Sequence, residues 1–344
     1  MTNKKYDTLV LIGRFEPVHN AHVALLRRAA ELATNVIVIV GSANQPRTYK
    51  NPWTSKEREM MLRNILESST FPDDFVYTIA HNIDTVYNDT AWMQRIQAIV
   101  NGNTRTGQKI GIIGHRKEDT GFYLDMFPQW GLEEMDQVEP LNATHIRDLY
   151  FKNDANMNFI RNVVPSTVFQ MMEGWKDTPD YLQIIREREH IETYKKQFAG
   201  LAYPPIFVTA DAVVICSGHV LMVKRKAEPG KGLWALPGGF VNAYTDKSVL
   251  LAAIRELREE TKIKVPAPVL IGSIKRSKVF DAVNRSARGR TITHAFLIEL
   301  PNGELPAVKG SDDAEKAQWV PIADVKSDVC FEDHYEIIQN MIGA

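Results

Sequence analysis

The 344-residue sequence predicts an α/β chain in two parts, a doubly wound parallel sheet followed by a smaller α+β unit. Three observations carry this reading. In the first half, short apolar runs alternate with stretches of helical spacing, the pattern of strand–helix–strand crossovers onto a parallel sheet. Around Gly200 and Pro204-Pro205 the composition turns to that of a linker. Beyond it, strand-like runs follow one another and are interrupted by a helix rich in glutamate.

Taken in order, Leu9 to Ile12, Val36 to Val40, Phe75 to Ile79 and Ile110 to Ile113 read as buried strands. Between them His22 to Leu32, Thr54 to Leu66 and Ala91 to Val100 have helical spacing, and Thr54 with Glu57 offers a capping box for the second. Asp180 to Phe198 reads as a charged helix. Ile206 to Thr209, Ala212 to Ile215 and Val220 to Val223 read as strands, as do Val269 to Ile274 and Thr291 to Leu300, with a last helix from about Glu332. The expected limits are residues 1–180 for the first domain, 181–203 for a connecting helix and linker, and 204–344 for the second domain.

Composition narrows the function. Hydrophobic residues make up 44% and charged residues 24%, with a formal net charge of −1, so nothing draws the chain globally toward nucleic acid or an anionic membrane. No basic recognition helix is apparent. The two cysteines, Cys216 and Cys330, suggest neither a disulfide framework nor zinc and fit a reducing, cytoplasmic location. The apolar run Thr8 to Gly13 stops at Arg14, too short for a signal peptide, and no stretch approaches ~20 apolar residues.

Two segments carry chemistry. The first strand runs into Gly13-Arg14-Phe15-Glu16-Pro17-Val18-His19-Asn20-Ala21-His22. A tight turn there delivers the chain to a helix N-terminus, whose free N–H groups and positive dipole end suit an anion. His19 and His22, three apart, and Arg14 make this a natural polyphosphate site. In the second half, Glu256, Glu259 and Glu260 stand at i, i+3 and i+4 and project from one helical face. Like charges this close call for a cation, and hard oxygen ligands suit Mg²⁺ or Mn²⁺. Arg255, one turn before Glu259, is placed to pair with it.

The first segment resembles the signature Gly-x-Phe-x-Pro-x-His-x-Gly-His of the adenylyl- and cytidylyltransferases, with Ala21 where that family has Gly. Their second signature, apolar-Ser-x-Thr-x-apolar-Arg, resembles Leu141-Asn142-Ala143-Thr144-His145-Ile146-Arg147, with Asn142 as an alternative helix cap. The resemblance implies a Rossmann-like nucleotidyltransferase domain in which His19, His22 and Arg147 hold ATP, the substrate, with Mg²⁺, and Arg147 meets its β- and γ-phosphates. Asn51-Pro52-Trp53-Thr54-x-x-Glu57-Arg58 is similar to a segment of archaeal-type nicotinamide mononucleotide (NMN) adenylyltransferases, and Trp92 is a ring against which nicotinamide can stack. ATP and NMN are thus expected to meet Gly13, Arg14, Phe15, Trp53, Arg58, Trp92, His115, Arg116, Asn142 and Thr144.

Gly239 through Ile263 resembles the Nudix box. Arg255, Glu256, Leu257, Glu259, Glu260 and Ile263 match its second half, Lys262 replaces its late Gly, and the spacing from Gly239 to Arg255 is two residues longer than the pattern. Lys247 occupies the early Glu position, with Asp246 the nearby substitute. The resemblance implies a Nudix domain that hydrolyses a nucleoside diphosphate linked to another group. In it Glu256, Glu259 and Glu260 would bind Mg²⁺ or Mn²⁺, and Glu260 would have a role beyond ligation. The loop Phe280 to Thr291 looks like the ADP-ribose grip of such proteins, so Gly238, Gly239, Arg285, Arg288 and Arg290 are expected at the substrate.

Together the halves resemble the bifunctional NMN adenylyltransferase/Nudix hydrolase family. That resemblance implies ATP + NMN → NAD + pyrophosphate in the first domain and ADP-ribose → AMP + ribose 5-phosphate in the second. Its expected partners are small nucleotides (ATP, NMN, NAD and ADP-ribose), with no nucleic acid and no membrane; a homo-oligomer is left open. Two alternatives stand beside it: another acceptor in the same transferase fold, or a Nudix half that senses ADP-ribose or NAD without hydrolysing it.

Overall fold

The computed structural model describes residues 4–68, 71–72, 75–115, 122–135, 142–152, 157–310 and 314–343. The chain divides into two compact units, Met1–Ile185 and Arg186–Ala344.

In the first unit, β1 (Tyr6–Gly13), β2 (Ala33–Val40), β3 (Val76–His81), β4 (Ile110–Gly114) and β5 (Gly131–Glu134) form one sheet in the order β3-β2-β1-β4-β5. Every pairing is parallel. Helices α1 (Asn20–Leu32), α2 (Ser55–Leu66) and α3 (Asp89–Gly102) make the crossovers among β1 to β4. The period of two explains the double winding. Leu9, Leu11, Val36 and Val38 join one buried cluster, while their neighbours Val10, Ile12, Ile37 and Ile39 join another on the opposite face. The strand order reverses between β1 and β4, and the crevice at the carboxyl ends of such strands is where open sheets bind ligands.

α2 starts where the capping box requires: Glu57 N–H donates to Thr54 Oγ1 at 3.3 Å and Thr54 N–H to Glu57 Oε2 at 2.7 Å. Four further helices follow, α4 (Ala143–Tyr150), α5 (Met157–Val163), α6 (Ser166–Trp175) and α7 (Pro179–Lys196). Tyr181, Ile184 and Ile185 on α7 are buried with the first unit's core, so that core continues past residue 180.

The second unit holds β6 (Phe207–Cys216), β7 (His219–Arg225), β8 (Trp234–Ala235), β9 (Gly238–Phe240), β10 (Ile274–Phe280), β11 (Thr291–Glu299) and β12 (Ala314–Pro321). The main path is β10-β11-β6-β7-β12, with β8 on β7 and β9 on β6. Only β11 and β6 pair in parallel among these described strands. Helix α8 (Val249–Thr261) buries Ala252, Ala253, Ile254 and Leu257, leaving its glutamates to the other face. Helices α9 (Ala267–Gly272) and α10 (His334–Ile342) complete the unit.

Two expectations are corrected. Val269 to Ile274 is not a strand: Pro266 caps α9 and Pro268 sits in its first turn, where a missing N–H costs nothing, and β10 begins at Ile274. The runs Ile206 to Thr209 and Ala212 to Ile215 are one strand, because the acid between them, Asp211, is buried and accepts a hydrogen bond from Thr293 Oγ1. No helix among the described residues is long and apolar enough to cross a membrane.

Candidate active sites

At the carboxyl rim of the first sheet the chain leaves β1 through Phe15, which is buried in the left-handed region at φ 58° with its ring packed under Gly13. His19 caps α1 and donates its backbone N–H to His22 Nδ1 at 3.3 Å. The two imidazoles stack 3.8 Å apart, and Phe15 stands edge-on to His22 at 4.9 Å. Arg147 on α4 is buried, donates to the Glu16 carbonyl at 2.7 Å and to Thr144 Oγ1 at 3.2 Å, and so joins the two signature segments directly. Burial and the like charge of Arg14 lower its pKa to about 10. Asn142 caps α4, accepting from His145 N–H at 2.8 Å.

Among the described residues, buried polar atoms at this rim are without hydrogen-bond partners: an Arg14 Nη, Asn82 Nδ2, Arg147 Nε and His115 Nε2. The first three are donors, and a buried donor without a partner costs on the order of 1–3 kcal/mol, which an anionic ligand would recover. His115 Nδ1 lies 2.8 Å from the Met135 carbonyl, which can only accept. Nδ1 therefore carries a proton and donates to that carbonyl, leaving Nε2 turned away from it. Arg116 lies outside the described residues.

Two residues expected at the ligand are used by the fold instead. Trp53 is buried among Tyr150, Phe151 and Trp175, with ring centroids 5.6–6.1 Å away. Arg58 is 1% exposed, and its donors are occupied. One Nη reaches the Arg14 carbonyl at 2.6 Å and the Gly41 carbonyl at 2.7 Å, the other the Ser42 carbonyl at 3.0 Å, and Nε lies 3.0 Å from Glu16 Oε1. Arg58 thus pins the signature loop to the end of β2. Burial pushes the Glu16 carboxyl up to about 7 against the pull of Arg58 and Arg147. Trp92 is half-buried against Phe127 at 6.0 Å.

In the second unit a cavity of about 340 Å³ is lined by Asp211, Arg225, Glu256, Glu260, Arg288 and Glu332, among others. The glycine pair makes it. A Cβ on Gly238 would sit 2.2 Å from Asp211 Oδ1, and one on Gly239 would sit 2.6 Å from Glu256 Oε1. Bare backbone there lets the carboxylates crowd against β9. Gly238 N–H donates to Glu260 Oε2 at 3.0 Å. Burial, with Glu256 and Asp211 nearby, pushes Glu260 up to about 8; burial likewise raises Glu256, and lifts Asp211 to about 6.

Glu259 is half exposed and turned to Arg255 Nη1 at 2.9 Å. The same guanidinium takes Asp246 in a two-pronged pair at 2.8 and 2.9 Å and holds its carboxyl at about 2. Among the described residues no three acidic, His or Cys side chains are gathered as a ready metal cage. The donor set nevertheless fits a hard divalent cation, since buried carboxylates with raised pKa values are what such a charge would relieve.

The basic loop is divided in function. Arg288 lies over the Phe240 ring at 4.9 Å and faces the cavity. Arg285, also on the lining, is buried and held by Asp333 through bonds of 2.8 and 2.9 Å, which ties the loop to the start of α10. Arg290 is turned back to the Asp281 carbonyl. Asp211, Arg225 and Glu332 escaped the sequence reading. An acid inside the apolar run of β6 was the signal for Asp211; Glu332 and Arg225 left none.

Comparison with known proteins agrees with this division. The cytidylyltransferase-like family matches residues 10–160 and the Nudix domain family residues 206–341. A nicotinamide/nicotinic acid mononucleotide adenylyltransferase of Acinetobacter baylyi is 33% identical over 182 residues, 52% of this chain and 92% of that protein. An ADP-ribose pyrophosphatase of Methanocaldococcus jannaschii is 33% identical over 158 residues, 46% of this chain and 82% of the other. A bifunctional NMN adenylyltransferase/ADP ribose pyrophosphatase from Francisella tularensis, known from its crystal structure, superimposes with a TM-score of 0.90 at 32% identity, covering 98% of this chain and 99% of that one. A second crystal structure of such a protein from that organism holds AMP and a Mn ion, with a TM-score of 0.89. With a nucleotidyltransferase rim in one unit and a glutamate-lined Nudix cavity in the other, the chain belongs to the family of bifunctional NMN adenylyltransferase/ADP-ribose pyrophosphatases.

Proposed function

We propose that the first unit transfers adenylate from ATP to NMN, giving NAD and pyrophosphate, and that the second hydrolyses ADP-ribose to AMP and ribose 5-phosphate. The observation that carries the pair is the presence of two different anion-directed sites in one chain. One is a rim of buried donors without partners among the described residues, the other a cavity lined by both carboxylates and arginines.

In the transferase, catalysis is positioning. Arg14, Asn82 and Arg147 present donors to phosphate oxygens, where charge builds as the NMN phosphate attacks the α-phosphorus in line. His19 and His22, stacked and capped onto α1, offer ring N–H groups to the same oxygens. His115, with Nε2 free of partners among the described residues, is placed to meet the nucleotide. Mg²⁺ accompanies the triphosphate of ATP.

In the hydrolase, Glu256 and Glu260, with Asp211 beside them and Glu259 one turn along, are the residues to hold Mg²⁺ or Mn²⁺. When bound, the cation would polarise the diphosphate and promote attack by water. Arg225 and Arg288 line the same cavity and oppose the substrate's negative charge. Buried, free Cys216 and Cys330 support a cytoplasmic setting.

The test is chromatography of products after incubation with ATP, NMN and Mg²⁺, and separately with ADP-ribose and Mg²⁺ or Mn²⁺. NAD with pyrophosphate, and AMP with ribose 5-phosphate, are expected. ATP binding without NAD would point to another acceptor; ADP-ribose binding without cleavage would make the second unit a sensor.

A further inference from the structure

The segment between α7 and β6 has the composition of a linker, yet its Phe198, together with Tyr194 near the end of α7, is built into the second unit. Turn hydrogen bonds continue the chain past α7, from Gln197 N–H to Tyr194 O at 3.2 Å and from Phe198 N–H to Lys195 O at 3.1 Å. They bring Phe198 T-shaped against Phe207 at 5.1 Å, with Tyr194 tilted against Phe198 at 5.4 Å and Phe207 at 5.8 Å. Phe207, the first residue of β6, is T-shaped against Phe240 at 5.7 Å. Phe240 lines the cavity and carries the Arg288 guanidinium on its face. The basic loop also leans on Phe207: Phe207 N–H donates to the Arg290 carbonyl at 2.9 Å, and a Cβ on Gly289 would stand 3.3 Å from the Phe207 ring.

We propose that Tyr194 and Phe198 are positioning residues of the hydrolase site, bracing Phe207 and Phe240 so that Arg288 is held over the cavity for an anionic diphosphate. The inference rests on the hydrolase reading above. Stacking occupies the face of a guanidinium and leaves its N–H edges for an anion. Glu332 Oε2 is 3.9 Å from Arg288 Nη2, so a guanidinium that loses its aromatic platform has a competing carboxylate to fall onto. An edge-to-face ring pair contributes enough to shift an affinity severalfold and too little to decide whether the unit folds.

The experiment compares Phe198→Ala and Tyr194→Ala with the parent in the full-length chain, measuring kcat and KM for ADP-ribose and its Kd by calorimetry. KM and Kd should rise roughly three- to tenfold for Phe198→Ala, with kcat, NAD synthesis and Tm held. Phe198→Tyr, which keeps the ring, should restore the parent values. Because the effect passes through Arg288, the double variant Phe198→Ala/Arg288→Ala should bind no more weakly than Arg288→Ala alone. Unchanged KM and Kd, a loss confined to kcat and Tm, or full additivity in the double variant would each overturn the proposal. Failure of the parent protein to cleave ADP-ribose would instead sink the hydrolase reading, and Kd would still judge the bracing.

Discussion

Arg58 and Glu260 are both charged residues withdrawn from water, and the structure makes opposite predictions for them. Arg58 faces protein on every side, so Arg58→Ala should destabilise the first unit by about 3–5 kcal/mol, because it strands the Glu16 carboxylate and three backbone carbonyls. Chemical denaturation would measure that loss; NAD synthesis would fall with the folded fraction. Glu260 faces the cavity, so Glu260→Gln should leave stability near the parent's and reduce ADP-ribose cleavage by more than about 100-fold while NAD synthesis continues. A coupled assay of both activities on one preparation decides it. From the sequence these two looked alike, each a charged residue within a family motif. The glutamate could be read because its partners, Glu256 and Glu259, lie within one turn. The arginine could not, because the groups that occupy it, at Arg14, Glu16, Gly41 and Ser42, lie 16 to 44 residues away. Arg285 repeats the lesson, with its partner Asp333 48 residues distant.

At the scale of elements, helix α8 shows what local sequence can specify. Ser248 caps it, its Oγ accepting from Leu251 N–H at 3.2 Å, and apolar spacing buries one side. Its far end is less favourable. Lys262 takes the left-handed conformation, φ 47° and ψ 30°, at the position where the Nudix pattern has Gly. A side chain there costs roughly 1 kcal/mol relative to Gly. Lys262→Gly should therefore raise the second unit's stability by about that amount, read as a shift in denaturation midpoint at constant slope. The strands were legible where their apolar runs were unbroken, as in β1, β2 and β4. β6 looked like two strands because a buried acid, Asp211, interrupts its apolar run, and α9 looked like a strand because its apolar residues hid the proline start. β5 and β12 mix charged residues into short or edge positions, so periodicity did not mark them.

The whole molecule adds a dependence on pH that no motif announces. His334 begins α10 in the second unit and is buried, with Nδ1 accepting from Leu236 N–H at 2.8 Å. Burial, reinforced by the charges of Arg285, Arg225 and Arg288, holds its pKa well below 6.5. Folded, it stays neutral; unfolded, it takes up a proton as pH falls through 6.5. The unfolded state then binds more protons than the folded one, so His334's contribution to stability is intact above that pH and is lost on acidification. Each pH unit below it costs about 1.4 kcal/mol until the folded-state pKa is reached. His334→Asn keeps an acceptor for Leu236 N–H and removes the titration. Its denaturation midpoint for the second unit should therefore fall less steeply between neutral pH and pH 5 than the parent's. Following that unit by protection from heat with ADP-ribose separates it from the first, because a ligand stabilises only the unit that binds it. Parallel slopes in parent and variant would mean that His334 is protonated in the folded protein, and that the arginines around the cavity do not exert the field their positions imply.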